Sequence, residues 1–166
     1  MFSEVRAVPK IRSKRPNRKK PKLETYRGRA IPKPKDRSRI DKKNYDKAME
    51  LYKHQCADCG SPHVEMHHIV FRSQSGRKGY RNLVPLCKLH HDFCHEKFPT
   101  KELREAYSGW YAEMWREKHE LKYGPFFAAD KFDLYKANLI SNTTDEAFER
   151  FMEVEEVNAC GKVGND

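Results

Sequence analysis

The chain has little of what a membrane protein, a disulfide scaffold or a repeat protein needs. Its longest apolar runs are a few residues, far short of the roughly 20 that span a bilayer, which argues against a membrane-crossing segment. No signal peptide is expected ahead of the cysteines, and five cysteines cannot all pair. Metal ligation in a reducing compartment is therefore favoured over disulfides. No internal repeat is visible. Only 37% of the 166 residues are hydrophobic while 35% are charged. That is room for one ordinary domain with extensions, and for a small core of the kind that metal usually reinforces.

Charge, by contrast, is abundant and uneven. The net charge is +10, and residues 1–50 alone hold 18 Lys and Arg against 6 Asp and Glu. A concentrated cationic stretch points to a polyanion as partner, most simply nucleic acid. Residues 1–40 also hold five of the nine prolines and almost no apolar periodicity, so an extended or disordered arm is expected there. Within it, Lys14, Arg15, Arg18, Lys19 and Lys20 are candidates for phosphate contact, and a targeting signal is the competing use of such a run.

The stretch Cys56 to His95 holds four of the five cysteines and six of the eight histidines. Its spacing separates into two sites. Cys56-x2-Cys59 and Cys87-x2-His90 offer tetrahedral zinc two short-spaced pairs, a structural set. Cys94, four residues past His90, competes with His90 for the fourth position. The second set is His67, His91 and His95. On an extended chain His67 and His68 point to opposite faces. His91-x3-His95 puts two imidazoles on one helical face, about 100° round from His90. Three imidazoles leave a coordination position open, which separates a catalytic metal from a structural one. They favour Mn2+, Ni2+, Co2+ or Zn2+ over the oxygen-seeking Mg2+. Glu65 shares a strand face with His67 and is a candidate to orient a ligand imidazole.

Around this stretch the patterns are helical. Asp41 caps an expected helix over 42–55, with Tyr45, Ala48, Met49 and Tyr52 as its buried stripe. Ile69, Val70 and Phe71 favour a strand. Thr100 caps a helix to about Tyr123, with Leu103, Ala106, Tyr107, Trp110, Met114 and Leu121 on its apolar face and Gly109 as a break. Thr143 and Glu146 have capping-box spacing before a helix over 145–157. Four segments follow: an arm at 1–40, a core at 41–98, a helical extension at 99–157 and a flexible tail at 158–166.

The order Cys-x2-Cys, Glu-x-His-His-Ile, Asn-Leu-Val-x-Leu-Cys-x2-His-His-x3-His resembles the HNH endonuclease family, the ββα-metal nucleases, over about residues 42–98. The three name-giving positions are His68, Asn82 and His91. One departure stands out: His90 occupies a position where relatives with a structural zinc commonly have Cys. The resemblance implies an α+β fold with a small ββα-metal core, a zinc knuckle, flanking helices and the basic arm. It also implies metal-dependent hydrolysis of DNA phosphodiester bonds, by nicking or double-strand cleavage, to 5′-phosphate and 3′-hydroxyl ends.

In that mechanism His68 is the general base on water, and a divalent cation at His67, His91 and His95 contacts the scissile phosphate. Asn82 braces the loop that aims His68. Arg72, Arg77, Lys78 and Arg81 are then expected on the DNA backbone. The Phe71–Gly76 loop is similar to that of phage-type members. It implies a phage or prophage protein in the bacterial cytoplasm, with packaging (terminase) proteins as neighbours. Two other classes keep part of this pattern: a non-catalytic zinc module that binds nucleic acid, and an RNA-directed nuclease.

Overall fold

The computed structural model describes residues 24–163. It is a mixed α+β arrangement of two small antiparallel sheets, seven α-helices and two short 3-10 turns among the described residues. The centre is a ββα unit. Strand β3 (Glu65–His68) pairs with β4 (Leu83–Leu86) so that His67 faces Val84 and His68 faces Leu83 across the ladder. Helix α3 (Lys88–Cys94) follows directly. Val84, Leu86 and Phe93 are buried and meet Tyr111, Trp115, Tyr123 and Phe127 from the C-terminal half, so the extension closes the core instead of trailing from it.

Ile69, Val70 and Phe71, expected in a strand, lie just past the end of β3. The Asn82 amide takes both backbone groups of Val70, accepting from its N–H at 2.8 Å and donating to its carbonyl at 3.2 Å. A side chain thus ends the ladder where β-branched residues would have continued it.

The N-terminal expectation needs a larger correction. Residues 24–40, expected within an extended arm, are folded: strands β1 (Glu24–Tyr26) and β2 (Arg29–Ile31) form a hairpin, followed by the short helix α1 (Pro34–Arg37). Ile31 is buried, and Arg37 bonds to Asp130 and Asp133 far along the chain. A polar, proline-rich segment is ordered here by ion pairs whose partners lie some ninety residues away, which local composition cannot register. The cationic run Lys14, Arg15, Arg18, Lys19 and Lys20 lies outside the described residues.

Helix α2 (Lys42–Leu51) is capped by Asp41, whose carboxylate accepts from Asn44 N–H at 2.9 Å. It stops short of 55 because Lys53 and His54 take left-handed backbone angles. The pattern expected to reach Tyr123 is two helices, α4 (Lys101–Tyr107) and α5 (Tyr111–Tyr123), parted at Gly109 with φ of 81°. The buried face of α5 is Tyr111, Trp115, His119 and Tyr123, while Trp110 and Leu121, expected inside, are exposed. Helix α6 (Lys131–Lys136) was not expected; Asp130 and Asp133 form its capping box. Helix α7 (Asp145–Val163) runs beyond 157, into the expected tail, and Thr144, not Thr143, accepts from Ala147 N–H at its start. No helix among the described residues is long and apolar enough to cross a membrane.

Candidate functional site

The sulfur-bearing cluster forms where the turn at Cys56–Gly60 meets the start of α3. The ligand atoms of Cys56, Cys59, Cys87 and His90 lie within 4.8 Å of one another. Gly60, with φ of 74°, lets the knuckle turn and returns its N–H to the Cys56 carbonyl at 3.0 Å. His90 directs Nδ1 at the sulfurs of Cys87 and Cys56, 3.3 and 3.6 Å away. Burial alone would raise the Cys56 thiol. Backbone N–H groups of Cys59, Cys87 and Asp58, with the His90 ring, bring it down to about 6, towards the thiolate that zinc binds. Cys94 stands outside this group. It is buried against the core, and burial, then Asp58, pushes its thiol up to about 12. The donor set of three thiols and one imidazole fits zinc.

On the other side of α3 the ligand atoms of His67, His91 and His95 also lie within 4.8 Å of one another, with ring centroids 4.8 to 5.1 Å apart. Strand pairing buries His67 to 3% exposure. That burial, then the neighbouring His91, His95 and His68, pushes it down to about 3, so the ring stays neutral with a lone pair free for a cation. His95 is lowered for the same leading reason and stacks on Phe71. Among the described residues the buried Nδ1 of His91 has no hydrogen-bond partner, and Glu65 Oε2 stands 3.4 Å away. An orphaned ring nitrogen among neutral imidazoles fits a divalent metal site. Glu65, expected to serve a ligand imidazole, lies beside His91.

His68, one residue on, turns the other way. Its Nε2 lies 3.0 Å from the carbonyl of Ser38. A carbonyl only accepts, so Nε2 carries the hydrogen and Nδ1 is the unprotonated nitrogen of the neutral ring. Burial lowers its basicity, with Arg72 adding to this and the Ser38 bond opposing it. His67, His68, His91 and His95 line one cavity of about 720 Å³, whose rim includes Arg39, Ile40 and Arg72.

Asn82 is fully buried, and its side-chain amide makes three hydrogen bonds: two to Val70, and one from Nδ2 to the Arg77 carbonyl at 2.9 Å. It therefore pins both ends of the loop 70–77. Gly76 packs so closely that a Cβ there would stand 1.7 Å from the Val70 carbonyl oxygen.

Two of the arginines expected on DNA are turned into the fold. Arg77 is 7% exposed and bonded through Nε and Nη2 to Asp133 at 2.7 and 3.0 Å. Arg81 is 4% exposed and held by Glu156 and Glu149. Both guanidinium charges are spent inside the fold. Lys78 is half-exposed and pairs with Asp41 at 2.7 Å, and Arg72 is exposed beside the cavity. Sequence reasoning missed Ser38, Arg39 and Gly76. Only Gly76 left a signal, a glycine closing the Phe71–Gly76 loop; the other two sat in what reads as an arm.

Residues 56–97, which take in β3, β4, α3 and both clusters, match the HNH endonuclease family. No curated protein matches the chain.

Proposed function

From that HNH match, and from a site assembled as described, we propose that this chain is a divalent-metal-dependent endonuclease that hydrolyses DNA phosphodiester bonds. One observation carries the reading. Three partner-poor imidazoles converge on a point at the edge of a solvent-open cavity. Beside them a fourth histidine is held by one nitrogen, and among the described residues the other has no hydrogen bond.

A divalent cation bound there would supply Lewis acidity for hydrolysis of the phosphodiester. His67, His91 and His95 are the side chains that would hold it. His68 accepts a proton at Nδ1 from the water whose oxygen attacks phosphorus as the bond to the 3′ oxygen breaks. An imidazole held neutral near pH 7 suits that task. Asn82 keeps the loop after His68 in one conformation. Arg72 and Arg39, at the cavity rim, take the phosphate-contact role first expected of Arg77 and Arg81. Zinc at Cys56, Cys59, Cys87 and His90 is assigned to holding the fold. The Phe71–Gly76 loop is the basis for a phage or prophage setting, with packaging proteins as neighbours.

The test is cleavage of a supercoiled plasmid across a series of Mn2+, Ni2+, Co2+, Mg2+ and Zn2+, with EDTA and His68→Ala as controls and a matched RNA alongside. Metal-dependent nicking of DNA that His68→Ala abolishes is the expected result. Binding without cleavage under every metal would replace the reading with a zinc-dependent nucleic-acid-binding module, and cleavage confined to RNA would reassign the substrate.

A further inference from the structure

His68 is aimed by a residue outside the HNH-matched segment. Among the described residues its ring makes one hydrogen bond, to the Ser38 carbonyl, so wherever Ser38 sits, Nδ1 follows. Ser38 is buried, and its surroundings fix it from several sides. Its Oγ donates to the Gly76 carbonyl at 2.8 Å, and Lys78 N–H donates to the Arg37 carbonyl at 3.1 Å. Gly76 in turn presses on Val70, which Asn82 holds.

The preceding side chain extends this path to the C-terminal extension. Arg37 is 6% exposed, bonds to Asp130 through Nε at 2.6 Å and lies 2.5 Å from Asp133. Asp133 also takes the buried Arg77 from the loop that Asn82 pins. Two guanidinium groups and two carboxylates thus tie the N-terminal segment, the loop and α6 together. Buried pairs of this kind contribute little net stability beside an apolar substitute, but they fix geometry.

We propose that Arg37, clamped by Asp130 and Asp133, is a positioning residue for His68: the clamp holds the Ser38 carbonyl where it fixes the hydrogen on Nε2 and leaves Nδ1 for water. This rests on His68 being the general base, and it puts one working part of the site on each flank of the HNH segment.

The experiment uses the full-length, zinc-loaded protein with 15N-labelled histidine. In the wild type the Nε2–H proton of His68 is expected to be directly observable and protected from solvent exchange. Arg37→Ala should raise its exchange rate at least about tenfold. The same variant should lower kcat for plasmid nicking about tenfold, a part of what general-base catalysis contributes, with KM for DNA and zinc content unchanged. Arg37→Lys, which keeps the charge but loses the fork, should recover part of both, and it decides the matter by the same readings if Arg37→Ala does not fold. A His68 hydrogen found on Nδ1 in the wild type overturns the proposal. So does an unchanged exchange rate in the variants, whatever kcat does. Because exchange is read without substrate, a chain that cleaves nothing still reports on the clamp, and the two readings fail separately.

Discussion

Two clusters share helix α3, and their contrast explains most of the molecule. His90 and His91 are adjacent in sequence, yet about 100° of helical rotation sends one to sulfur and the other to the cavity. The sulfur cluster is closed. Cys56 is buried, its sulfur takes backbone N–H groups, and the fourth ligand atom comes from a ring packed on Tyr111. The imidazole cluster is open. The buried Nδ1 of His91 has no hydrogen-bond partner among the described residues, and the three rings line a cavity of about 720 Å³. A site that must hold a fold together gains by satisfying every ligand internally, whereas one that must meet a substrate gains by leaving a position free.

The contrast breaks first at Cys56. Structural zinc in small domains contributes on the order of 10 kcal/mol to folding, so with zinc in the proposed role Cys56→Ser should abolish both the cooperative thermal transition seen by circular dichroism and tight zinc binding. A wild-type melting curve would mean that the closed site holds nothing up. The open site predicts the opposite behaviour. His68→Ala should reduce nicking by roughly a hundred- to ten-thousandfold while leaving the melting temperature and zinc stoichiometry where they were. If it lowers both instead, the two clusters are not separate in role.

How much of this the sequence disclosed follows the range of the forces involved. The pairs Cys56/Cys59, Cys87/His90 and His91/His95 lie within two- and three-residue spacings, and the alternation of a strand sets His67 apart from His68, so both ligand sets were legible as groups. Asn82 was legible through the family pattern. The missed parts depend on distant partners. Arg37 is opaque until Asp130 and Asp133 arrive from α6, and with it the ordering of residues 24–40 and the role of Ser38. Arg77 and Arg81 look like DNA contacts in a loop of cations. Nothing local shows that Asp133, Glu149 and Glu156 neutralise them. The short strand was misplaced by three residues because a buried amide, not β-propensity, decided where pairing stops.

His119 provides the reference for a histidine that is neither closed on metal nor open to solvent. It is 2% exposed, its Nδ1 donates to the Arg81 carbonyl at 2.6 Å, and its Nε2 lies 2.8 Å from the Tyr52 hydroxyl. Burial pushes it down to about 4, with Lys122 and Lys118 adding to this and the Arg81 carbonyl opposing it. Its pKa in the folded state is below the unfolded value, so protonation favours the unfolded chain. Its stabilising share is complete above about pH 6.5 and lost as pH falls towards 4, on the order of 3 kcal/mol in all. Urea titrations from pH 7.5 to 4.5 should show His119→Gln with a shallower fall in stability than the wild type. Equal slopes would mean that the ring titrates normally.

The smallest effect separates the two clusters most finely, because each has a carboxylate 3.4 Å from a histidine: Asp58 Oδ2 from His90 Nε2, and Glu65 Oε2 from His91 Nδ1. They are not equivalent. The same Asp58 oxygen accepts a 2.6 Å hydrogen bond from the buried Tyr111 hydroxyl, so it is anchored where it can fix the ring whose other nitrogen faces the thiols. The Glu65 side chain is 52% exposed, and among the described residues no hydrogen bond anchors it. Carboxylates that orient ligand imidazoles commonly contribute about tenfold or more in metal affinity. Asp58→Asn should therefore weaken zinc binding about tenfold in a chelator competition, and Tyr111→Phe should reproduce part of that loss by freeing the carboxylate. Glu65→Gln should change metal affinity at the open site by less, since a mobile side chain loses in ordering much of what it gains in contact. An equal loss at both sites would show that the open cluster is braced as firmly as the closed one, and the division of labour would then rest on access alone.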